Sequence, residues 1–179
     1  MASPQLQHLS TSQAAEVFDE IVNVYVTVYA ESQTEEDFAN FRARGAAQFQ
    51  GAGFDLVTVR VDGDLVGFAY GLTLRAGSGW WRGLEPAPEQ GFTEETGVRT
   101  FALIELAVLP EHRKKGLGRL LVDELLARRD EERATLATDP READVQKMYE
   151  RWGWRKAGRV PAASDAPVPH FDLYVLPLR

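Results

Sequence analysis

The chain has 179 residues, 44% of them hydrophobic and 26% charged, which is the size and composition of one folded domain and excludes disorder and fibrous repeats. Twenty Lys and Arg against 27 Asp and Glu leave a formal net charge of −7, so broad nucleic-acid binding is not expected, although a local basic patch could still hold a small anion. The absence of cysteine excludes a disulfide framework, a cysteine nucleophile and thiolate metal sites, and is compatible with a reducing compartment.

Residues 1–9 lack the basic start and apolar stretch of a secretory signal, and the densest apolar run, residues 21–30, is about half the ~20 residues a bilayer span needs. A cytoplasmic protein with no membrane partner is expected. Residues 5–9 read as a short strand. Ser10 with Gln13 three residues later has the form of a capping box, which predicts a helix reaching toward Glu31. The period there is mixed: Val22, Val24, Val26 and Val28 alternate like a strand, while Phe18, Ile21, Val22, Tyr25, Val28 and Tyr29 form a helical stripe. Length favours the helix. A second helix is expected after Thr34, with Asp37 in its first turn and an end near Gly45 or Gly51.

Residues 54–74 form the clearest hairpin pattern, two alternating apolar runs about an Asp62-Gly63 turn. Residues 76–98 follow, rich in Gly, Pro and acidic side chains but carrying Trp80 and Trp81. A segment so long without regular structure is suspected of function. A buried strand over residues 101–109 ends at Pro110; a glycine turn then leads into a helix from Leu117 to about Arg129. Asp130-Glu131-Glu132 reads as a solvated exit from that helix. A short strand (residues 135–138), a helix around residues 143–151, a strand after Gly153 and a terminal strand (residues 171–176) complete the chain. Mixed hairpin and crossover connections predict a single α/β (α+β) domain over residues 1–179.

The stretch from Ile104 to Leu121 carries the chemistry. A strand runs into a turn holding Gly116 and Gly118 and then into an amphipathic helix, so backbone N–H groups at the helix start point out unpaired, with Arg113, Lys114, Lys115 and Arg119 beside them. Such a turn suits a diphosphate; it is also what a helix cap with a solvated basic surface looks like. No Gly-Lys-Ser/Thr ending and no three-glycine dinucleotide fingerprint is present. Glu105 interrupts an otherwise apolar strand, where a carboxylate is costly unless paired or functional. Alternation puts it on one face with Ala107, and Leu106 with Val108 on the other.

Arg113-x-x-Gly116-x-Gly118, preceded by Glu105-Leu106-Ala107-Val108-x-Pro110, resembles the acyl-CoA signature of the GNAT acyltransferase superfamily. Met148-Tyr149-Glu150-Arg151-Trp152-Gly153-Trp154 is similar to the family's segment in which a tyrosine on the last helix precedes a glycine and an aromatic residue. The resemblance spans most of the chain and is sharp over residues 100–155. It implies a mixed central sheet of about six to seven strands, splayed at the cofactor site and flanked by about four helices, with acceptor-side elements over residues 10–50 and the loop 76–98. It further implies that acetyl-CoA is held by Leu106, Ala107, Val108, Arg113, Lys114, Lys115, Gly116, Leu117, Gly118 and Arg119. One departure is visible: seven residues before the tyrosine, where the family often has Asn, stands Glu142.

The resemblance implies direct acetyl transfer from acetyl-CoA to the primary amine of a small molecule. Such an amine arrives protonated at neutral pH and needs a base. Glu105 is the candidate base, unless it only pairs with a cation or orients the acceptor, and Tyr149 is the candidate acid, unless it is a core tyrosine with a satisfied hydroxyl. Tyr25, Tyr29, Trp80 and Trp81, with Phe38 and Phe41, are candidates to line the acceptor pocket, with most of them expected to be core, and at least one Trp in the loop is expected to line the pocket or serve as a lid. Glu94 and Glu95 could attract a cationic amine or be solvated surface. Peptide acetylation and an inactive acyl-CoA sensor stay as alternatives. A homodimer using the terminal strand as an edge is expected by analogy only. His8, His112 and His170 have no metal-ligand spacing, so no metal is expected.

Overall fold

The computed structural model describes residues 3–179; the first two residues of the segment inspected for a signal lie outside that range. The elements in chain order are β1 (Gln5–Leu9), α1 (Thr11–Glu16), α2 (Phe18–Tyr29), α3 (Glu35–Gln48), β2 (Asp55–Val61), β3 (Asp64–Thr73), β4 (Thr100–Val108), a 3-10 turn (Pro110–His112), α4 (Leu117–Ala127), β5 (Arg133–Thr138), α5 (Ala143–Arg151), β6 (Arg155–Pro161) and β7 (His170–Pro177). The strands follow the hydrogen-bonded order β1-β2-β3-β4-β5-β7-β6, the mixed α/β sheet the sequence predicts. Contacts cluster into two compact units, one running up to Leu72 and including Leu103–Arg129, the other comprising Thr73–Ala102 and Asp130–Arg179. Both β3 and β4 contribute residues to each.

In the first unit, the helix expected over residues 10–31 is two helices, which brings the α-helices among the described residues of both units to five rather than about four. Ser10 caps α1 through the capping box with Gln13. Val17 then leaves helical geometry (φ −102°, ψ 8°) and serves as C-cap of α1 and N-cap of α2. The break lets Ala14 and the Ile21, Val22, Val24, Tyr25 stripe enter one core with Phe41, Leu56, Phe68, Tyr70 and Ala107. α3 starts after Thr34 with Asp37 in its first turn, as expected, the two residues forming a capping box, and of the two expected ends it passes Gly45 and stops at Gln48, just before Gly51. Gly45 is a close-approach point rather than a stop: a Cβ there would lie 3.2 Å from Phe18 Cε2.

Asp62 (φ 54°) and Gly63 (φ 91°) both adopt positive φ, the requirement of a two-residue turn that matches strand twist. β1 and β3 flank β2 in antiparallel register. Gly67 of β3 faces β4 so closely that a Cβ would stand 2.9 Å from the Ala107 carbonyl oxygen. Helix α4 buries Leu117, Leu121, Val122 and Leu125, a stripe at helical spacing.

In the second unit, Thr100, Phe101 and Ala102 pair in parallel with Arg133, Ala134 and Thr135. β7 pairs antiparallel with both β5 and β6. The loop 76–98 is anchored along its length. Glu85 exchanges two backbone hydrogen bonds with Arg159 at 2.9 and 2.7 Å, and a Cβ on Gly158 would collide with the Glu85 carbonyl at 2.5 Å. Arg99 Nη1 donates to the carbonyls of Gly91 (2.8 Å) and Glu94 (2.7 Å). The acidic run 130–132 is not simply solvated: Glu131 is buried and accepts from the Thr73 hydroxyl at 2.8 Å, and Glu132 pairs with Arg99 at 3.1 Å.

Candidate active site

Glu105 sits mid-strand in β4 among neighbours that are otherwise apolar, and its residue surface is only partly open. Its Oε1 accepts a hydrogen bond from the Tyr29 hydroxyl of α2 at 2.8 Å. Burial pushes the carboxyl pKa up to about 7. The Tyr29 hydrogen bond, the Arg44 charge and the Leu106 backbone N–H pull the other way without cancelling it. A carboxyl titrating there is about half ionised at neutral pH, and its ionised form binds a proton far more tightly than an exposed carboxylate does.

An aromatic wall from α2 and α3 stands beside it. Tyr25 stacks on Phe41 with centroids 3.6 Å apart and planes within 4°, tilts against Tyr29 at 4.6 Å, and meets Phe38 edge-on at 6.3 Å. The Tyr25 hydroxyl donates to Gln33 Oε1 at 2.9 Å, and the Tyr70 hydroxyl to Gln48 Oε1 at 2.8 Å. Burial raises both phenol pKa values, and the nearby Glu105 charge raises them further. Tyr25, Tyr29, Phe38 and Phe41 are thus brought together with Glu105. Gln33, Arg44, Gln48 and Tyr70 are residues that sequence reasoning missed; the i, i+3 spacing of Phe41 and Arg44 was the sole local signal.

The turn after β4 belongs to the same unit. Lys114 (φ 58°) and Gly116 (φ 81°) both take left-handed backbone, which doubles the chain back to start α4. Gly116 is the N-cap and offers no side chain, so no cap satisfies the first-turn N–H groups. Arg113 turns its Nε to the Val108 carbonyl at 3.0 Å, tying the turn to the end of β4. Arg119 pairs with Asp123 one turn along at 3.2 Å. Lys114 and Lys115 are exposed. Uncapped N–H groups beside exposed cations are the donor set a diphosphate needs, so these residues fit acetyl-CoA.

In the second unit, Tyr149 of α5 is buried, with edge-on contacts to Trp152 (5.5 Å) and Trp154 (5.9 Å). Glu142 is the N-cap of α5 and makes no side-chain cap bond. Gln146 Nε2 ties α5 to Thr138 Oγ1 (3.0 Å) and Asp172 Oδ2 (2.8 Å). Tyr174 of β7 reaches Glu150 at 2.9 Å. Trp80 donates its indole N–H to Thr135 Oγ1 at 3.1 Å and lines a cavity of about 250 Å³ with Val160 and Phe171. Trp81 is buried, donates to Glu95 Oε1 at 2.8 Å and stacks under the Arg133 guanidinium at 4.8 Å. Glu95 is therefore neither a solvated residue nor an attractor of free cations: its side chain has no exposed surface and is paired with Arg133 at 3.1 Å. Glu94 is exposed. Among the described residues, no group of three or more His, Asp and Glu side chains is arranged to hold a metal.

Residues 18–154 match the family model described as the acetyltransferase (GNAT) family. Comparison with curated protein sequences gives no match. Among solved structures, a Pyrococcus horikoshii protein superposes with a TM-score of 0.68 at 17% identity, over 97% of this chain and 98% of that one. A Bacillus cereus acetyltransferase of the GNAT family gives 0.64 at 15% identity, covering 98% and 97%. The paia N-acetyltransferase of Thermoplasma acidophilum, in complex with coenzyme A, gives 0.60 at 13% identity, covering 96% and 98%. At these identities the superpositions speak for the fold.

Proposed function

Because the chain belongs to the GNAT acetyltransferase family, we propose that it transfers an acetyl group from acetyl-CoA to the primary amine of a small molecule, with Glu105 as general base and Tyr149 as general acid. The single observation that carries this reading is the Glu105 carboxyl, lifted by burial to about 7 while hydrogen-bonded to Tyr29. An alkylammonium titrates near ~10. Raising the accepting carboxylate from 4.5 to about 7 makes proton removal easier by roughly 3 kcal/mol.

Acetyl-CoA, when bound, supplies the activated thioester and its sulfur leaving group. The exposed cations Lys114 and Lys115, with the uncapped N–H groups of Leu117, Gly118 and Arg119, would hold the diphosphate, and backbone groups of Leu106 and Val108 the pantetheine. Glu105 takes the ammonium proton on its carboxylate, directly or through one water, while Tyr29 keeps Oε1 oriented. Tyr149 Oη returns a proton to the departing sulfur; a phenol is still protonated at neutral pH and suits that task. No residue type here suggests a covalent enzyme intermediate, since the chain has no cysteine.

A thiol-release assay with acetyl-CoA against polyamines, arylalkylamines, amino acids, aminoglycosides and short peptides tests the reading, and the cysteine-free chain adds no background thiol. Turnover with one amine class, lost in Glu105→Gln, is the expected result. No thiol release with any amine, together with no acetyl-CoA binding by calorimetry, would overturn it.

A further inference from the structure

Arg44 stands out in the first unit because it hydrogen-bonds the Tyr25 side chain yet faces no carboxylate in an ion pair among the described residues. It is exposed on α3, and none of the ion pairs among the described residues includes it, whereas its neighbour Arg42 is paired with Asp19 at 2.7 Å. Its guanidinium nevertheless is not loose. It lies 5.6 Å above the Phe41 ring, and Phe41 in turn stacks on Tyr25 at 3.6 Å. A guanidinium resting on an aromatic face has five N–H donors, so beside its bond to Tyr25 it can still pair bidentately with a carboxylate and loses little entropy when it does. The groups that feel its charge are Glu105, Tyr25, Tyr70 and Asp37. Asp37 is already engaged by its cap with Thr34.

A carboxylate on β4 and, on α3, a preorganised cation held by Phe41 and Tyr25 without a counter-ion therefore flank one aromatic wall. That pair is complementary to a zwitterion, with the ammonium toward Glu105 and the carboxylate toward Arg44. It is a poor match for a polycation, which the Arg44 charge would repel, and of the acidic pair Glu94 and Glu95, Glu95 is taken by Arg133. We infer that Arg44 is the specificity-determining residue for the acceptor, binding the carboxylate of a free amino acid whose amino group faces Glu105. The inference rests on the acetyl-transfer reading and names its substrate class.

The test compares the common amino acids, each with the amine left by its decarboxylation, such as phenylalanine with phenethylamine and leucine with 3-methylbutylamine. It uses the full chain and Arg44→Met and Arg44→Lys variants, at a pH well above the Glu105 pKa of about 7 so that the base is ionised in all of them. Binding of the same compounds in the presence of coenzyme A is followed by calorimetry. The unmodified chain is expected to favour at least one amino acid over its amine by about 10- to 100-fold in kcat/KM, a charge-assisted pair's share of binding. Arg44→Met should lose that preference through KM with kcat little changed, and Arg44→Lys should keep part of it. An equal or reversed preference in the unmodified chain, or a preference that survives Arg44→Met, overturns the inference while turnover of amines leaves the acetyl-transfer reading standing. Arg44-dependent binding of an amino acid without turnover of any acceptor does the reverse. Neither binding nor turnover of any amino acid overturns the inference as well.

Discussion

Glu105 carries two opposed demands, burial that favours its neutral form and a task that needs its charged one. Its folded pKa of about 7 lies above the ordinary 4.5. The fold is therefore favoured by the neutral carboxyl below 4.5, and that contribution drains away as pH rises from 4.5 through about 7. Activity runs the other way: kcat/KM should climb through a limb near pH 7 and then level. Glu105→Gln should lower kcat/KM by about 10²- to 10⁴-fold and erase the limb. Its thermal midpoint above pH 7 should equal or exceed that of the unmodified chain, since the buried charge is gone; a large drop there would mean that the carboxylate is structural. Tyr29→Phe removes a donor that favours the ionised form, so the limb should move to higher pH in a pH–rate profile. Glu105 was legible in the sequence because a carboxylate in an apolar strand is conspicuous. Tyr29, 76 residues away, was legible as one aromatic among several and not as its hydrogen-bond partner.

The loop 76–98 behaves as an element in its own right. Around Arg133, one guanidinium is held between the Trp81 and Phe92 rings at 4.8 and 4.5 Å, donates to Thr100 Oγ1 at 2.9 Å and pairs with Glu95. Glu95 Oε1 accepts from Trp81, Thr100 and Arg133, while its buried Oε2 has no hydrogen-bond partner among the described residues. Arg133→Met should strand a buried carboxylate and cost about 3–5 kcal/mol. The double change Arg133→Met with Glu95→Gln should recover much of that loss in denaturant unfolding, because the stranded charge is what destabilises. Equal losses in the single and double variants would count against the ion pair as the anchor. The length and the tryptophans of this loop were visible in the sequence, and its reading as a lid candidate came from them. What they could not show is that its acidic and aromatic residues are consumed by an arginine at the start of β5.

Across the whole molecule the charge is −7, yet Lys114 and Lys115 stand exposed at the turn before α4. Anion binding there should weaken as salt screens exposed cations. Acetyl-CoA at about 100 times its Kd should stabilise the chain by about 2.7 kcal/mol, which for this size moves Tm by roughly 2–4 °C per kcal/mol. A melting series in acetyl-CoA at two ionic strengths checks both, and no shift at saturating ligand would contradict a cofactor site in this chain. The features read correctly along the chain share one property: their partners lie within a few residues. The Ser10–Gln13 capping box, the Asp62-Gly63 turn and the strand, turn and helix of residues 100–127 follow from backbone geometry, which sets i to i+3 and i+4 contacts whatever the rest of the fold does. The break at Val17, the passage of α3 through Gly45, the pairing of Arg133 with Glu95 and the company Glu105 keeps were decided only when distant segments packed. Burial and partner distance set the cost of a charge, and neither quantity exists until strands far apart in sequence have found their register.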